Sequence, residues 1–392
     1  MTYETRLATA DDGEALAAFS AESFGYPAAQ SPFPHPQEGG RKTYVTTEGD
    51  RILATVRLRD YESWFWGARI PTVGIASVKV RAEERGSGLL TTLFERSLAE
   101  AVEHGAAIST LYATAPGIYR KFGYETFASY DQTVIPTTAL ARVRPTVGSV
   151  RRAAVDDIPL VRRLYSEWAQ AHNGPLTRDG ASFPVSDADL LDAFQAITIA
   201  YDEDGTAAGY ALWDRADGYD SGGILKIHDL VALSDHAMRQ LLSMFGTFAP
   251  VAPRTLLDTS QPDLAQIVLT GDDWTVQRAL PYGIAILDVA RALALRTYPN
   301  WLDLDLTFAV HGLPVPDQDG AYRLQVNSGA AQIDSVEHAH TNFTARGLAL
   351  RFAGTHNQTD LRRAGLLTGD TGDDSHWDAT FSGRQPHIRD YF

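Results

Sequence analysis

The sequence predicts an α/β (α+β) protein made of two tandem mixed-sheet units followed by a smaller α+β unit. Its 392 residues suffice for two or three domains at about 150 residues each. A segment near the start, Arg6–Asp12 (RLATADD), is echoed by Arg151–Asp157 (RRAAVDD), and a similar order of strand and helix patterns follows each copy. A third pattern of helix and strands begins near Leu287. We therefore expect domains at residues 1–145, 146–286 and 287–392.

The first unit alternates between strand and helix patterns. Apolar–polar alternation between turn residues indicates strands, and apolar residues at helical spacing indicate helices. In chain order, the predicted elements are a strand at Tyr3–Leu7, a helix after Asp11–Asp12, a loop at Gly25–Gly40, a hairpin of Tyr44–Thr47 and Ile52–Leu58, a strand at Val73–Val80, a helix from Leu89 to Gly105, a strand at Ile108–Ala113, a helical turn at Ile118–Phe122 and a strand at Tyr124–Tyr130.

The rest of the chain begins with a predicted linker rich in proline and glycine. The tail is rich in aromatic residues, which is not the composition of a disordered terminus. In chain order, the predicted features are the linker at Thr137–Ser149, a helix after Asp156–Asp157, a hairpin turn at Asp202–Gly205, a strand at Ile224–Val231, a helix through Ala292 and Leu295, strands at Leu302–Leu306, Tyr322–Val326 and Gln332–Val336, a helix at Asp360–Leu367 and the tail Trp377–Phe392.

The composition excludes several classes of protein. The chain has no cysteine, so it forms no disulfide, no thiolate metal site and no cysteine nucleophile. The first residues lack the basic start and apolar core of a signal peptide. No stretch approaches the roughly 20 apolar residues that span a bilayer. We therefore expect a cytoplasmic protein with no membrane partner.

The charge balance restricts the partners. The formal net charge is -15, which argues against nucleic acids and anionic membranes because both need a cationic surface. An acidic chain is compatible with a cationic substrate drawn toward an acidic cleft, and equally with solubility alone. Net charge does not separate these two interpretations.

Two groups of polar residues resemble metal sites without matching them. His338 and His340 would share one face of a strand, yet no third ligand of suitable spacing follows. The acidic loop Asp370–His376 lacks the spacing of a calcium loop. We therefore expect no metal.

The strongest local signal is the segment Val78–Leu90 (VKVRAEERGSGLL), which predicts a strand, a short loop and a helix. Backbone N–H groups at the helix start, together with the helix dipole, form an anion site suited to a pyrophosphate. Gly86 and Gly88 let the main chain approach without a Cβ, and Arg85 can add a charged contact. The alternatives are an ordinary glycine-containing turn and a Rossmann loop. The second is disfavoured because no G-x-G-x-x-G follows an opening strand.

A further motif follows the next predicted strand, at Thr114–Tyr124 (TAPGIYRKFGY). Together with Arg85–Gly88 (RGSG), it resembles the cofactor loop and the Y-x-x-x-G-[FY] segment of the GNAT acetyltransferase superfamily. Two such units in tandem, a C-terminal unit similar to sterol carrier protein and a terminal phenylalanine resemble the enhanced intracellular survival (Eis) family. The resemblance therefore implies two GNAT-like mixed-sheet units followed by a sterol-carrier-protein-like α+β domain. It spans the whole chain, but only the first unit carries motifs specific enough to be matched by residue.

This resemblance implies acetyl-CoA as co-substrate and direct transfer of its acetyl group to an amine. The cofactor contacts that it implies are Val78, Lys79 and Val80 along the pantetheine arm, Arg85, Gly86, Ser87, Gly88, Leu89, Leu90 and Thr91 around the pyrophosphate, and Thr114 and Ala115 beyond. Tyr119 would be the general acid and the α-carboxylate of Phe392 the general base. A tyrosine is protonated at neutral pH and can donate to a leaving thiolate. A carboxylate needs a raised pKa or a bridging water to accept the proton of an amine.

Alternatives to these two roles stay open at this point. Tyr119 is otherwise a packing tyrosine on an amphipathic turn, and Phe392 is otherwise the end of a docked apolar tail. In the second unit, no glycine opens the helix after the strand Ile224–Val231, so we expect a scaffold that binds no CoA. The chain could also use another acyl-CoA, or act as a non-catalytic CoA-binding module.

The acceptor pocket is predicted from aromatic and acidic residues near the loops of the first unit. Aromatic walls and carboxylates suit a cationic amine. The candidates are Phe24, Phe33, Tyr61, Trp64 and Trp66, with Glu22, Glu38, Asp60 and Glu62 among them. The family resemblance implies aminoglycosides or lysine-like amines as acceptors and a homo-oligomer, a hexamer.

Overall fold

The computed structural model describes residues 3–25, 36–216 and 218–392 and has a mixed α/β fold. Phe33 and most of the predicted loop Gly25–Gly40 lie outside the described residues. The elements of the first unit are β1 (Glu4–Leu7), α1 (Gly13–Phe24), β2 (Arg41–Glu48), β3 (Arg51–Phe65), β4 (Ala68–Val80), α2 (Leu89–Glu103), β5 (Ile108–Tyr112), α3 (Pro116–Arg120), β6 (Glu125–Pro136) and α4 (Thr137–Ala141).

The remaining elements repeat this order once and then change. The second unit has β7 (Ser149–Arg152), α5 (Ile158–Gln170), α6 (Asp187–Asp192), β8 (Ala196–Tyr201), β9 (Ala207–Arg215), β10 (Ile224–Ala232), α7 (Asp235–Gly246), β11 (Arg254–Thr259), α8 (Leu264–Val268) and β12 (Thr275–Ile286). The third has α9 (Val289–Leu295), β13 (Leu304–His311), β14 (Gly320–Asn327), β15 (Ala330–Val336), β16 (Thr341–Thr344), α10 (Ala345–Ala353), α11 (Gln358–Arg363), β17 (Leu367–Gly369) and α12 (Asp374–Phe381).

The two similar sequence segments, Arg6–Asp12 and Arg151–Asp157, form the same Arg–Asp ion pair at the start of a helix. The Arg6 guanidinium donates to both oxygens of Asp12, at 2.7 and 2.9 Å, and the backbone N–H of Thr9 donates to the same carboxylate at 2.7 Å. Arg151 donates to both oxygens of Asp157 at 2.7 and 2.6 Å. Each pair fixes the angle between a short strand and the helix that follows it, which supports the interpretation of a tandem repeat.

The two units share one sheet by exchanging their last strands. The order of its 12 strands is β1-β2-β3-β4-β5-β12-β6-β11-β10-β9-β8-β7. Strand β12 of the second unit lies between β5 and β6 of the first, and β6 reaches across to pair with β11 of the second. Because neither unit completes its own sheet, the two halves are held together by main-chain hydrogen bonds along three strand pairs.

The third unit packs its own sheet, in the order β15-β14-β13-β16-β17, onto this structure. One apolar core joins Phe65 and Phe127 of the first unit, Tyr282 of β12, and Phe352 and Trp377 of the third unit. The aromatic tail is therefore ordered by packing, as its composition predicts. No described helix is both long and apolar enough to cross a bilayer. Among the described residues, no group of three or more His, Asp or Glu side chains could hold a metal ion.

Several predicted boundaries are wrong. The predicted linker Thr137–Ser149 contains α4, where Ala139 and Leu140 are buried. The predicted helix Asp360–Leu367 ends early, at Arg363, and Leu367 begins β17. Helix α10 is not predicted from the sequence. Nearly all of its residues are buried, so no polar face reveals a helical period.

Candidate active site

A wedge-shaped gap opens between β4 and β5. The two strands pair in parallel only from Thr72 to Ile75 on β4, although β4 continues to Val80. A bulge at Ser77, which has a φ of 50°, shifts the register against β3, and the Thr55 hydroxyl donates to the Ser77 carbonyl at 3.1 Å. Among the described residues, the edge of β4 from residue 76 to 80 therefore has no partner strand on the β5 side. An extended ligand with amide groups can pair there as a further strand.

The loop before α2 forms the predicted anion site. Gly86 and Gly88 have φ values of 90° and 87°, so the backbone conformation itself favours glycine at both positions. Gly88 is the N-cap residue of α2, and no side chain caps the helix. The first N–H groups of this 15-residue helix are thus available to an anion, beside the exposed Arg85.

The acidic side chains of this loop are held aside. Glu83 and Glu84 both form ion pairs with Arg51 of β3, the latter at 3.7 Å. The Ser87 hydroxyl donates to the Glu84 carbonyl at 2.6 Å and closes the loop. The loop therefore offers backbone N–H groups, while both of its carboxylates are turned toward Arg51.

Tyr119 lies on α3, the short helix that follows β5 in the chain. Its ring centroid lies 6.2 Å from that of Phe94 and 6.3 Å from that of Tyr124. Burial raises the pKa of Tyr119, so the phenol stays protonated across the neutral range. Within the described part of the chain, its hydroxyl makes no hydrogen bond, whereas the Tyr124 hydroxyl donates to Ser109 at 2.6 Å. Tyr119 is thus a half-buried proton donor with an available hydroxyl.

A carboxylate that the sequence analysis missed fixes the position of α3. Glu125 is 7% exposed and accepts hydrogen bonds from Arg120 of α3, the shortest at 2.9 Å, and from Arg346 of α10. This bridge connects the helix carrying Tyr119 to the third unit. The sequence gives little sign of it, because Arg346 is more than 200 positions away from Glu125.

The C-terminal residue returns to the first unit. The Phe392 ring lies 4.9 Å from Tyr61 of β3 and 5.5 Å from Tyr112 of β5, between ring centroids. A Cβ built on Gly74 would lie 2.7 Å from the ring carbon Cε2 of both Phe392 and Tyr61. Gly74 therefore makes room for the terminal ring where β4 and β5 begin to separate. A glycine inside a strand signals such a close approach, although the sequence analysis did not use it.

The second unit holds the tail that leads to Phe392. Asp390 accepts hydrogen bonds from Arg178 at 2.8 Å and from the Tyr165 hydroxyl at 3.1 Å. Arg178 also pairs with Asp229 of β10 at 2.8 Å, and the Tyr112 hydroxyl donates to the Asp390 carbonyl. A cavity of about 600 Å³ beside this cluster is bounded by Asp390 and Tyr391. The cluster links three distant segments, which sequence spacing cannot reveal.

In the second unit, the gap that corresponds to the β4–β5 opening is bridged. Strands β10 and β11 pair in parallel only over the first four residues of each. Beyond that point, Arg389 of the tail lies 4.0 Å from Asp229 of β10 and donates to the Asp258 carbonyl of β11 at 3.3 Å. The Ser234 hydroxyl caps α7 by accepting from Ala237 N at 3.0 Å. Neither the open gap nor the free helix start of the first unit is repeated.

The tail also contains a buried histidine that makes folding dependent on pH. His387 is 5% exposed, and burial and the nearby Arg389 charge lower its pKa to about 4. Between this value and its ordinary pKa, the unfolded chain binds a proton that the folded chain does not. The free energy of unfolding should therefore fall by about 2 kcal/mol from pH 7.5 to pH 5 because of this residue. Chemical denaturation of His387→Gln at the two pH values should show a correspondingly smaller difference. The exposed His338→Gln is the control, and equal pH dependence in all three proteins would contradict the prediction.

The predicted acceptor residues do not form one acidic pocket. Tyr61 lies against Phe392, but Trp64 packs in the core of the second unit with α5, and the Arg384 guanidinium covers the Trp66 ring at 4.9 Å. Glu22 is paired with Arg81 at 2.5 Å, Glu62 is paired with Arg69 at 3.3 Å, and Asp60 lines a small cavity on the α2 side of the sheet. Phe24 is 45% exposed, and Glu38 lies in an exposed turn.

Comparisons with known proteins agree with this geometry. Residues 4–127 match the model of the acetyltransferase (GNAT) domain, and residues 289–389 match that of the sterol carrier protein domain. The first unit is therefore a GNAT acetyltransferase domain. The chain is 27% identical over 318 residues to an uncharacterized N-acetyltransferase of Streptomyces avermitilis, covering 77% of this chain and 76% of that one.

Two solved structures share this architecture over the whole chain. The crystal structure of a GCN5-related N-acetyltransferase from Kribbella flavida matches with a TM-score of 0.85 at 27% identity, over 100% of this chain and 99% of that one. Eis1 from Mycobacterium abscessus matches with a TM-score of 0.78 at 20% identity, over 100% of both chains. At that identity, the likeness to Eis1 shows a shared fold. Acetyl-CoA is the co-substrate that a GNAT fold implies, and the open strand edge and free helix start fit it.

Proposed function

We propose that this chain is an Eis-type enzyme that moves the acetyl group of acetyl-CoA directly to an amine held beside Phe392. The observation that carries the proposal is the Phe392 ring on Gly74, at the mouth of the β4–β5 gap. In this proposal, the contact holds the chain terminus beside the thioester of acetyl-CoA bound in the gap. The fold shared with Eis1 over the whole chain supports the same proposal.

In this proposal, the first unit binds acetyl-CoA through its main chain. The free edge of β4 at Val78, Lys79 and Val80 pairs with the amides of the pantetheine arm. The N–H groups of Gly86, Gly88, Leu89 and Leu90 hold the pyrophosphate, whereas the Ser87 N–H already donates to the Glu84 carbonyl at 3.2 Å. The exposed side chains of Arg85 and Thr91 lie beside it. Thr114 and Ala115, both exposed before α3, contact the cofactor across the gap. Bound acetyl-CoA supplies the acetyl group as a thioester.

Two groups of the chain move the protons. The Phe392 carboxylate accepts the proton that the amine loses as its nitrogen forms a bond to the acetyl carbon. The Tyr119 hydroxyl donates a proton to the CoA sulfur as the carbon–sulfur bond breaks. The raised pKa of Tyr119 supports the role of acid, because the phenol remains protonated until the thiolate leaves. The contact of the Phe392 ring with Gly74 supports the role of base, because it anchors the chain terminus at the mouth of the β4–β5 gap.

The resemblance to the Eis family suggests two classes of acceptor, aminoglycosides and lysine-like amines, and assembly as a homo-hexamer in the cytoplasm. Release of free thiol from acetyl-CoA in the presence of a panel of amines tests the function directly. Amine-dependent release supports the proposal. Faster release from a longer acyl-CoA would favour an acyltransferase of another specificity, and tight binding without release would favour a non-catalytic module.

Acetyl-CoA should bind at one site per chain, in the first unit. Isothermal titration calorimetry should therefore give a stoichiometry near one. Arg85→Glu should weaken binding about tenfold or more, because it replaces a cation beside the phosphates with a carboxylate. Arg239→Glu, on the matching helix α7 of the second unit, is the control and should bind normally. Two equivalent sites per chain would contradict the assignment of the second unit as a scaffold.

A further inference from the structure

Four cations line one face of the sheet beside Phe392. We call them the cationic stripe: Arg41, Arg57, Arg59 and Lys79. In the antiparallel register, Arg41 of β2 lies opposite Arg59 of β3, and Arg59 lies opposite Gly74 of β4, on which the Phe392 ring rests. The first row of the stripe therefore runs across three strands to the terminal residue. Neighbouring strands are about 4.8 Å apart, so Arg59 lies close to the proposed site of transfer.

The other two members continue the same face along β3 and β4. Arg57, two residues before Arg59 on β3, lies opposite Ala76 of β4. Thr55, two residues before Arg57, lies opposite Lys79. Alternate residues of a strand share a face and are roughly 6.7 Å apart. The stripe thus extends along β3 from the row beside Phe392 and reaches Lys79 on β4, the strand that borders the gap.

Lys79 is a buried cation that forms no ion pair with any described residue. It is 4% exposed, its ammonium donates to the Ser20 hydroxyl at 2.6 Å, and it lies 5.3 Å from the Phe19 ring centroid. No carboxylate of the described residues lies within ion-pair distance. Burial, and then the charge of Arg57, lower the pKa of Lys79 to about 8. A charge buried without a counter-ion destabilises a fold, which favours a role in binding an anion.

Arg59 and Arg41 also lack ion pairs with described carboxylates. Arg59 donates to the Ser182 carbonyl at 3.1 Å, while its Nε is buried without a hydrogen-bond partner in the described part of the chain. Arg41 donates only weakly, at 3.4 Å, to the Glu38 carbonyl. Nor does the Phe392 carboxylate form an ion pair with any described basic group. The face of the sheet beside Phe392 therefore presents one terminal carboxylate at one end and, in Arg41, Arg59 and Lys79, three cations that pair with no described carboxylate.

We infer that the preferred acceptor is an amine that also carries an anionic group, a carboxylate or a phosphate, which the cationic stripe binds. This inference rests on the proposed function and refines its acceptor class. The amine of such a zwitterion faces the Phe392 carboxylate, and its anion accepts charge-assisted hydrogen bonds from Arg41, Arg59 and Lys79. A polycation such as an aminoglycoside would meet like charge along the same face. Of the two acceptor classes that the family resemblance suggests, lysine-like amines that carry a carboxylate fit the cationic stripe.

Matched acceptors test the inference. ε-Aminocaproate and n-pentylamine differ only by a carboxylate, cadaverine replaces that carboxylate with a second cation, and O-phosphoethanolamine and ethanolamine differ only by a phosphate. We expect kcat/KM to be at least tenfold higher for the anionic member of one pair, because one charge-assisted hydrogen bond is worth about 1.4 kcal/mol or more. The pair with the larger ratio identifies the anion. Equal use of both members of both pairs, or a preference for cadaverine, would overturn the inference.

Variants assign the preference to the stripe. In Arg41→Gln and Arg59→Gln, the ratio of kcat/KM between the anionic acceptor and its matched partner should fall toward one, while binding of acetyl-CoA is unchanged. Lys42→Gln is the control, because Lys42 is the next residue on β2, faces the α2 side and is similarly half-buried. If Arg59→Gln fails to fold after losing its bond to Ser182, Arg41→Gln alone decides. A ratio that both variants retain would overturn the inference.

The inference and the proposed function can fail separately. If amines are acetylated without regard to charge, the function stands and the inference fails. If no amine is acetylated, the function fails, and a binding experiment decides the inference. In that experiment, ε-aminocaproate, n-pentylamine, O-phosphoethanolamine and ethanolamine are each titrated into the CoA-bound protein by calorimetry. Tighter binding of an anionic member, lost in Arg41→Gln, supports it; equal binding overturns it.

Discussion

A short Gly-Ser extension after Phe392 should abolish acetyl transfer while acetyl-CoA binding and folding remain normal. The extension leaves the aromatic ring on Gly74 but replaces the terminal carboxylate with a neutral peptide group. If that carboxylate takes the proton of the amine, its loss should lower kcat by about 10²- to 10⁴-fold. Free-thiol release measures the rate, and calorimetry with acetyl-CoA measures the integrity of the cofactor site.

The matched control is the same extension placed at the N-terminus, which should retain normal turnover. Deletion of Phe392 is a weaker test, because it also removes a ring in contact with Tyr61 and Tyr112 and should lower thermal stability. Near-normal turnover by the C-terminally extended chain would remove Phe392 from the mechanism. Another carboxylate near the β4–β5 gap would then have to serve as base. Two of the candidates, Glu22 and Glu62, are already paired with arginines.

What the sequence predicts well is local. The N–H groups at the start of α2 and the positive φ values of Gly86 and Gly88 depend on a few consecutive residues, so the RGSG segment is enough to predict an anion site. The Arg6–Asp12 pair is equally local, and its echo at Arg151–Asp157 indicates the repeat. In both cases the residues that act together are neighbours in sequence.

What the sequence does not reveal depends on strand order and register. Alternation predicts that β6 and β12 are strands, but not that the two units exchange them, because pairing partners are chosen by the whole fold. The cationic stripe is hidden for the same reason. Arg57 and Arg59 predict one charged face of a strand, whereas their position beside Gly74 and Lys79 needs the register and the bulge at Ser77.

The acidic pocket expected for the acceptor illustrates this limit. Proximity in sequence to aromatic residues suggested Glu22, Asp60 and Glu62, yet each faces an arginine or the opposite side of the sheet. A net charge of -15 describes the whole chain and says nothing about the face beside Phe392, where Arg41, Arg59 and Lys79 pair with no described carboxylate.

Replacing Tyr119 with phenylalanine should lower kcat by about 10²- to 10⁴-fold and change the affinity for acetyl-CoA little. The hydroxyl makes no hydrogen bond within the described part of the chain, so its removal leaves no buried group unpaired and should not weaken the fold. Its contribution would come only when the CoA thiolate departs, which affects the transition state and not the bound ground state. Steady-state kinetics and calorimetry on the same preparation separate the two effects.

Tyr124→Phe is the matched control, because it removes the same atom from a neighbouring, fully buried tyrosine. The Tyr124 hydroxyl donates to Ser109 at 2.6 Å, so its loss should cost about 1 kcal/mol of folding stability and leave kcat nearly unchanged. The two variants should therefore show opposite results, Tyr119→Phe with lost activity at full stability and Tyr124→Phe with lost stability at full activity. A Tyr119→Phe enzyme with normal kcat would return Tyr119 to a packing role beside Phe94, and the thiolate would then have to take its proton from water.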